Sequence, residues 1–61
     1  MEDVERKVHD AAYRIRWSPA ERQFVARCDR YPGMSHGSDW PLDAVHGLQE
    51  KIRQFLIVES N

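Results

Sequence analysis

Cys28, His36, Asp39, Asp43 and His46 bring a thiol, two imidazoles and two carboxylates into the run CDRYPGMSHGSDWPLDAVH, residues 28–46. Groups of these types hold zinc, or serve as nucleophile and base in covalent catalysis. Their spacing suits neither role. The chain has no Cys-x-x-Cys and no closely spaced pair of histidines, the local patterns from which zinc sites are built. A nucleophilic cysteine needs an activated, partly exposed thiolate. Cys28 instead shares the apolar side of an alternating segment with Phe24 and Ala26, where a free thiol behaves as a small hydrophobe. Asp39 and Asp43 are accounted for by a helix start. His46 stands four residues before Glu50 on the solvent side of that helix, an ordinary surface pair. No catalytic residue, metal or cofactor is therefore expected, with a small hydrolase using Cys28 or the acidic residues as the alternative from the enzyme class.

The elements that position these residues follow from periodicity. Tyr13, Ile15 and Trp17 alternate with Arg14 and Arg16, the pattern of a half-buried strand. Ser18-Pro19-Ala20-Glu21 suits a four-residue hairpin loop built around a type I turn. The alternation then resumes over Gln23 to Asp29, with Phe24, Ala26 and Cys28 on one side and Val25, Arg27 and Asp29 on the other. Tyr31-Pro32-Gly33-Met34 places Pro and Gly as a type II turn does. A short third strand is expected over Met34, Ser35 and His36, ending at Gly37 and Ser38.

Pro41 fits the first position of a helix, with Trp40 or Asp39 as its cap and Asp43 in its first turn. Leu42, Val45, Leu48, Ile52, Phe55 and Leu56 then recur along one stripe. The fold expected is α+β, a three-stranded antiparallel meander (β-β-β-α) with one amphipathic helix of about four turns packed on one face. Residues 1–10 form an amino-terminal arm or a short helical turn, and residues 11–61 form the single domain. Ile57 and Val58 fall off the helix stripe. Either the chain leaves the helix there and adds a strand, or these two residues pack against another subunit.

Sixty-one residues make one domain at most. A chain this short buries only about 60% of the surface that its unfolded form exposes. With a single cysteine and so no internal disulfide, oligomerisation is the usual remedy, and a homodimer or higher homo-oligomer is expected. No apolar run approaches the roughly 18 residues of a membrane span. The segment MEDVERKVHD has no secretory h-region, so a cytoplasmic, membrane-free protein is the default.

The net charge of −1 hides an uneven distribution. Arg14, Arg16, Arg22, Arg27 and Arg30 face only Glu21 and Asp29 within residues 14–30, which leaves that segment at +3, and each flanking segment at −2. The patch is too local for an obligate nucleic-acid binder, so nucleic acid enters only indirectly, or through an RNA-binding alternative that uses the arginine face. Arg14, Arg16 and Arg27 should emerge opposite the helix, where guanidiniums can meet carboxylates or phosphates. Charges on an outer sheet face also deter aggregation. Tyr31 and Trp40 flank the turn and the helix start, either as interface anchors or as covers over the open end of the core.

In order, YRIRW, a loop, QFVARCDRYPG, SHGSD and WPLDAVHGLQEKIRQFL resemble the HicB-like antitoxin domain. In that family a strand of the form yvA-x-x-x-x-x-PG leads through s-x-G-x-t into a helix beginning x-eEA. The resemblance covers residues 12–56, about three quarters of the chain. It implies a β-β-β-α, partial ribonuclease-H-like fold without catalytic carboxylates. It also implies a bacterial toxin–antitoxin role, in which the domain masks a small RNA-cleaving toxin, HicA. Trp40 stands where the family commonly has Thr or Ser. Many members continue into a DNA-binding segment, for which the sequence to Asn61 leaves no room, so DNA autoregulation is not expected. Partner contacts are expected at Arg14, Arg16, Arg27, Tyr31 and Trp40, and self-association at Ile57 and Val58.

Overall fold

The two alternating segments pair with their apolar positions in step. The computed structural model describes residues 2–60, with α1 over Glu2–His9, β1 over Tyr13–Ser18, β2 over Gln23–Cys28, β3 over Ser35–Ser38 and α2 over Pro41–Ser60. The strands form one antiparallel sheet in the order β1-β2-β3. With α2 packed on one face, the class is α+β.

Ser18 pairs with Gln23 across a loop of residues 19–22. The loop closes when the Arg22 N–H donates to the Ser18 carbonyl at 2.8 Å. Arg22 takes the left-handed conformation, φ 56°. The second turn closes through the Met34 N–H and the Tyr31 carbonyl at 2.9 Å. No glycine has a positive φ, so the expected type II geometry at Gly33 is corrected, since that type needs positive φ at its third residue. The third strand is also displaced, running through Gly37 and Ser38 rather than stopping before them. Gly37 pairs with Val25, and a Cβ there would fall 2.0 Å from the Gln23 amide nitrogen. A glycine in a strand often marks such a close approach.

Helix α2 begins as its sequence directs. The Trp40 carbonyl accepts the Ala44 N–H at 3.0 Å, which makes Trp40 the cap position. The Ser38 hydroxyl donates to the Asp43 carboxylate at 2.6 Å and accepts the Trp40 N–H at 3.4 Å. Ser38 thus ties the Asp43 carboxylate in the first turn to the backbone of the cap residue. The buried stripe is Ala44, Leu48, Ile52 and Leu56, lying on Ala26 and Cys28 of β2. Leu42 and Phe55, expected on that stripe, are 71% and 43% exposed. The helix continues through Ile57 and Val58 to Ser60, which overturns the added strand considered for those residues and extends the helix well beyond four turns.

The amino-terminal residues pack as an element of the fold. An isolated helix as short as α1 does not persist in water. Here Val8 and Ala11 are buried in the same core as Leu48 and Ile52. Burial of a side chain such as Val8 supplies about 1.5–3 kcal/mol. The Tyr13 hydroxyl donates to the Val8 carbonyl. Arg53 clasps the Glu5 carboxylate through Nε at 2.6 Å and Nη2 at 3.1 Å, and also donates to Glu50. Ala12, between α1 and β1, has φ 57°.

Candidate interaction surface

Register decides which side chains share a face. Arg14 is the Cα partner of Arg27, and Arg16 that of Val25. Across β2 and β3, Arg27 meets Ser35 and Val25 meets Gly37. Opposed residues in antiparallel strands point to the same side, so the three arginines stand together on the side opposite α2. All three are exposed.

Two guanidiniums directly opposed across a ladder weaken the pair by tenths of a kcal/mol to about 1 kcal/mol. Asp29 relieves part of this, with its Oδ2 3.2 Å from Arg14 Nη2. The pair is largely exposed and is worth at most about 1 kcal/mol. Among the described residues, neither Arg16 nor Arg27 has a carboxylate partner. The arginines line a shallow open depression of about 660 Å³ together with Val25, Glu21 and Asp29. Within it, Arg16 and Arg27 are the guanidiniums left without a carboxylate partner among the described residues.

The other expected contact residues lie elsewhere. Tyr31 is half-buried, its ring edge-on to Phe55 with centroids 6.2 Å apart. It closes the core beside α2, away from the arginines. Trp40 is 71% exposed at the start of α2 and covers no core. Of the two residues expected to self-associate, Ile57 is half-buried, whereas Val58 is 70% exposed.

Ile15 and Trp17 were placed on the buried side by alternation, yet they are 43% and 49% exposed. The reason is width. A helix is about 10–12 Å across and strands lie about 4.8 Å apart, so one helix covers roughly two strands. Here α2 lies over β2 and β3 and touches β1 only lightly. Trp17 leans edge-on against Phe24, centroids 5.0 Å apart. Counting strands against helices in the sequence shows that one strand stays uncovered, but not that it is β1.

Cys28, His36, Asp39, Asp43 and His46 do not converge on one site. Cys28 is buried, with its sulfur 3.9 Å from the Tyr31 carbonyl. The His36 ring lies against the backbone of Gly47 on α2, where a Cβ would fall 2.1 Å from the ring. His46 and Asp39 are exposed. Glu50 bonds to Arg53, which corrects its expected pairing with His46. Among the described residues, no three His, Cys, Asp or Glu side chains are placed to hold a metal ion. No helix there is long and apolar enough to cross a membrane.

Where titration is perturbed, the cause is structural. Arg53 hydrogen-bonds Glu5 and holds its carboxyl below the ordinary 4.5, and the same bond raises the arginine. Burial pushes the Tyr13 hydroxyl above its usual 10, with the Cys28 thiol adding to the effect.

The fold and this face define a small α+β domain with an open cationic sheet surface. No family model matches the chain, and neither a curated protein nor a solved structure matches it.

Proposed function

We propose that this chain is a non-catalytic protein-binding domain of the HicB antitoxin kind. It acts in the cytoplasm of a bacterium, neutralises a small HicA-type RNA-cleaving toxin and associates with itself. The observation that supports the reading most is the opposition of Arg14 and Arg27 on an uncovered sheet face. Stability alone disfavours that arrangement, whereas recognition of an anionic group makes use of it. The path from β1 to α2 also follows the order that the resemblance implies. A masking domain needs surface and no nucleophile, which suits a thiol packed into the core.

Self-association draws support from the end of α2, where Phe55 and Val58 are 43% and 70% exposed. For Val58→Glu, the reading expects a lower mass by light scattering than for the native chain.

The partner is tested by native pull-down from the source cell, with and without nuclease, followed by a ribonuclease assay of what is recovered. One small RNA-cleaving protein that survives nuclease, and whose activity the chain suppresses, supports the reading. Loss of every partner on nuclease treatment replaces it with RNA binding through the arginine face.

A further inference from the structure

We propose that the outer edge of β1 takes an extended segment of a partner protein, added as a fourth strand, in which acidic and apolar residues alternate. The inference deepens the binding-domain reading and rests on it by naming the kind of segment bound.

Three observations carry it. First, β1 lies at the end of the order β1-β2-β3. On its outer side, alternate backbone N–H and C=O groups have no neighbouring strand among the described residues. Such an edge is a template for strand addition. Second, both faces of β1 are exposed at its centre. Arg14 and Arg16 project on one side, and Ile15 and Trp17 on the other, 43% and 49% exposed. An added strand therefore finds a cationic row and an apolar row at the period of two that its own side chains have. Third, the edge discriminates against itself. Antiparallel pairing of two copies of β1 about Ile15 opposes Arg14 of each to Arg16 of the other. A register shifted by one residue opposes arginine to Ile15 on both faces. Like charges directly opposed weaken a ladder, so a second copy is a poor occupant and an acidic–apolar strand is a good one.

The opposite edge differs. β3 is only Ser35–Ser38 and contains Gly37, and the Lys51 ammonium reaches its Ser35 carbonyl at 2.9 Å. A short edge strand beside a lysine is a usual way to discourage added strands. The two edges are thus unequal, and β1 is the one left open.

The test uses the full chain and three blocked peptides: Glu-Val-Glu-Val-Glu-Val-Glu, its Lys-for-Glu counterpart, and the rearranged Glu-Glu-Glu-Glu-Val-Val-Val. Binding and amide exchange are followed by NMR. The alternating acidic peptide should bind and protect the β1 amides that do not bond to β2. The rearranged peptide should bind at least about tenfold more weakly. Arg14→Glu with Arg16→Glu should lose the acidic peptide and gain the lysine one. Equal binding of the alternating and rearranged peptides reduces the site to unspecific charge attraction and overturns the proposal. Protection at β3 or on α2 in place of β1 overturns it as well. Binding of oligouridylate with the same shifts, in the absence of peptide binding, transfers the face to nucleic acid. A recovered toxin that binds while the β1 edge amides stay unprotected sinks this inference alone. Peptide binding by a chain that inhibits no ribonuclease sinks the antitoxin reading alone.

Discussion

Arg14 and Arg27 oppose one another across β1 and β2, with Asp29 bonded to Arg14 at 3.2 Å. The arrangement costs the sheet stability, and that cost can be measured. Arg27→Glu sets a carboxylate opposite Arg14 and should raise stability by about 0.2–1 kcal/mol while it weakens partner binding. Urea unfolding of the variant checks the first half. A loss of stability there would mean that the arginines serve the fold.

The core predicts a sharp contrast along α2. Leu48 and Ile52 are the largest fully buried side chains, and the rest of the buried set is mostly small residues. Leu48→Ala should cost about 2–5 kcal/mol. A chain of this size holds only roughly 3–9 kcal/mol in all, at about 0.05–0.15 kcal/mol per residue. Leu42→Ala, at a position 71% exposed, should stay within about 0.5 kcal/mol. Thermal melts of the two variants decide whether the buried stripe is the one described.

Two glycines should respond in opposite directions. A Cβ at Gly33 meets nothing within 4 Å, and no glycine has positive φ. Gly33→Ala should therefore be neutral or stabilise by about 0.4–1 kcal/mol. Gly47 lies within α2, where Ala is normally better by about 1 kcal/mol. The His36 ring occupies the space a Cβ needs there, so Gly47→Ala should destabilise. Adding His36→Ala should recover much of that loss, a coupling that a double-mutant cycle reads directly.

Much of this was legible in the sequence, and the exceptions have physical causes. Alternation over Tyr13 to Cys28 located both strands and the face of each arginine, because a period of two leaves only one way to bury Phe24, Ala26 and Cys28. Pro41 and Asp43 located the start of α2. The docking of α1 was not legible. Two valines are too few to predict a helix, and its partner Arg53 lies 48 residues along the chain from Glu5. The exposure of Ile15 and Trp17 was also hidden, since alternation shows which face a residue takes and not whether a helix reaches that strand. The Gly47–His36 contact leaves no trace in any local pattern.

Docking of α1 makes stability depend on pH at both ends. Glu5 is held below its ordinary 4.5 in the fold. Its contribution is therefore complete above that value and is lost as pH falls through the lower folded value. Glu5→Gln should flatten the acid limb of a stability profile. Tyr13 is raised above 10 by burial, so above pH 10 the unfolded chain releases its proton first and stability falls. Tyr13→Phe should remove that alkaline loss and cost about 0.5–1.5 kcal/mol at neutral pH, through the bond to the Val8 carbonyl.

The most direct test of the central claim is a ribonuclease inhibition titration of the recovered partner, using the native chain and the triple variant Arg14→Glu, Arg16→Glu, Arg27→Glu. The account predicts stoichiometric suppression by the native chain and little by the variant, with both chains folded by circular dichroism. Equal suppression by the two would remove the arginine face from the mechanism, and no suppression by either would contradict the antitoxin reading itself.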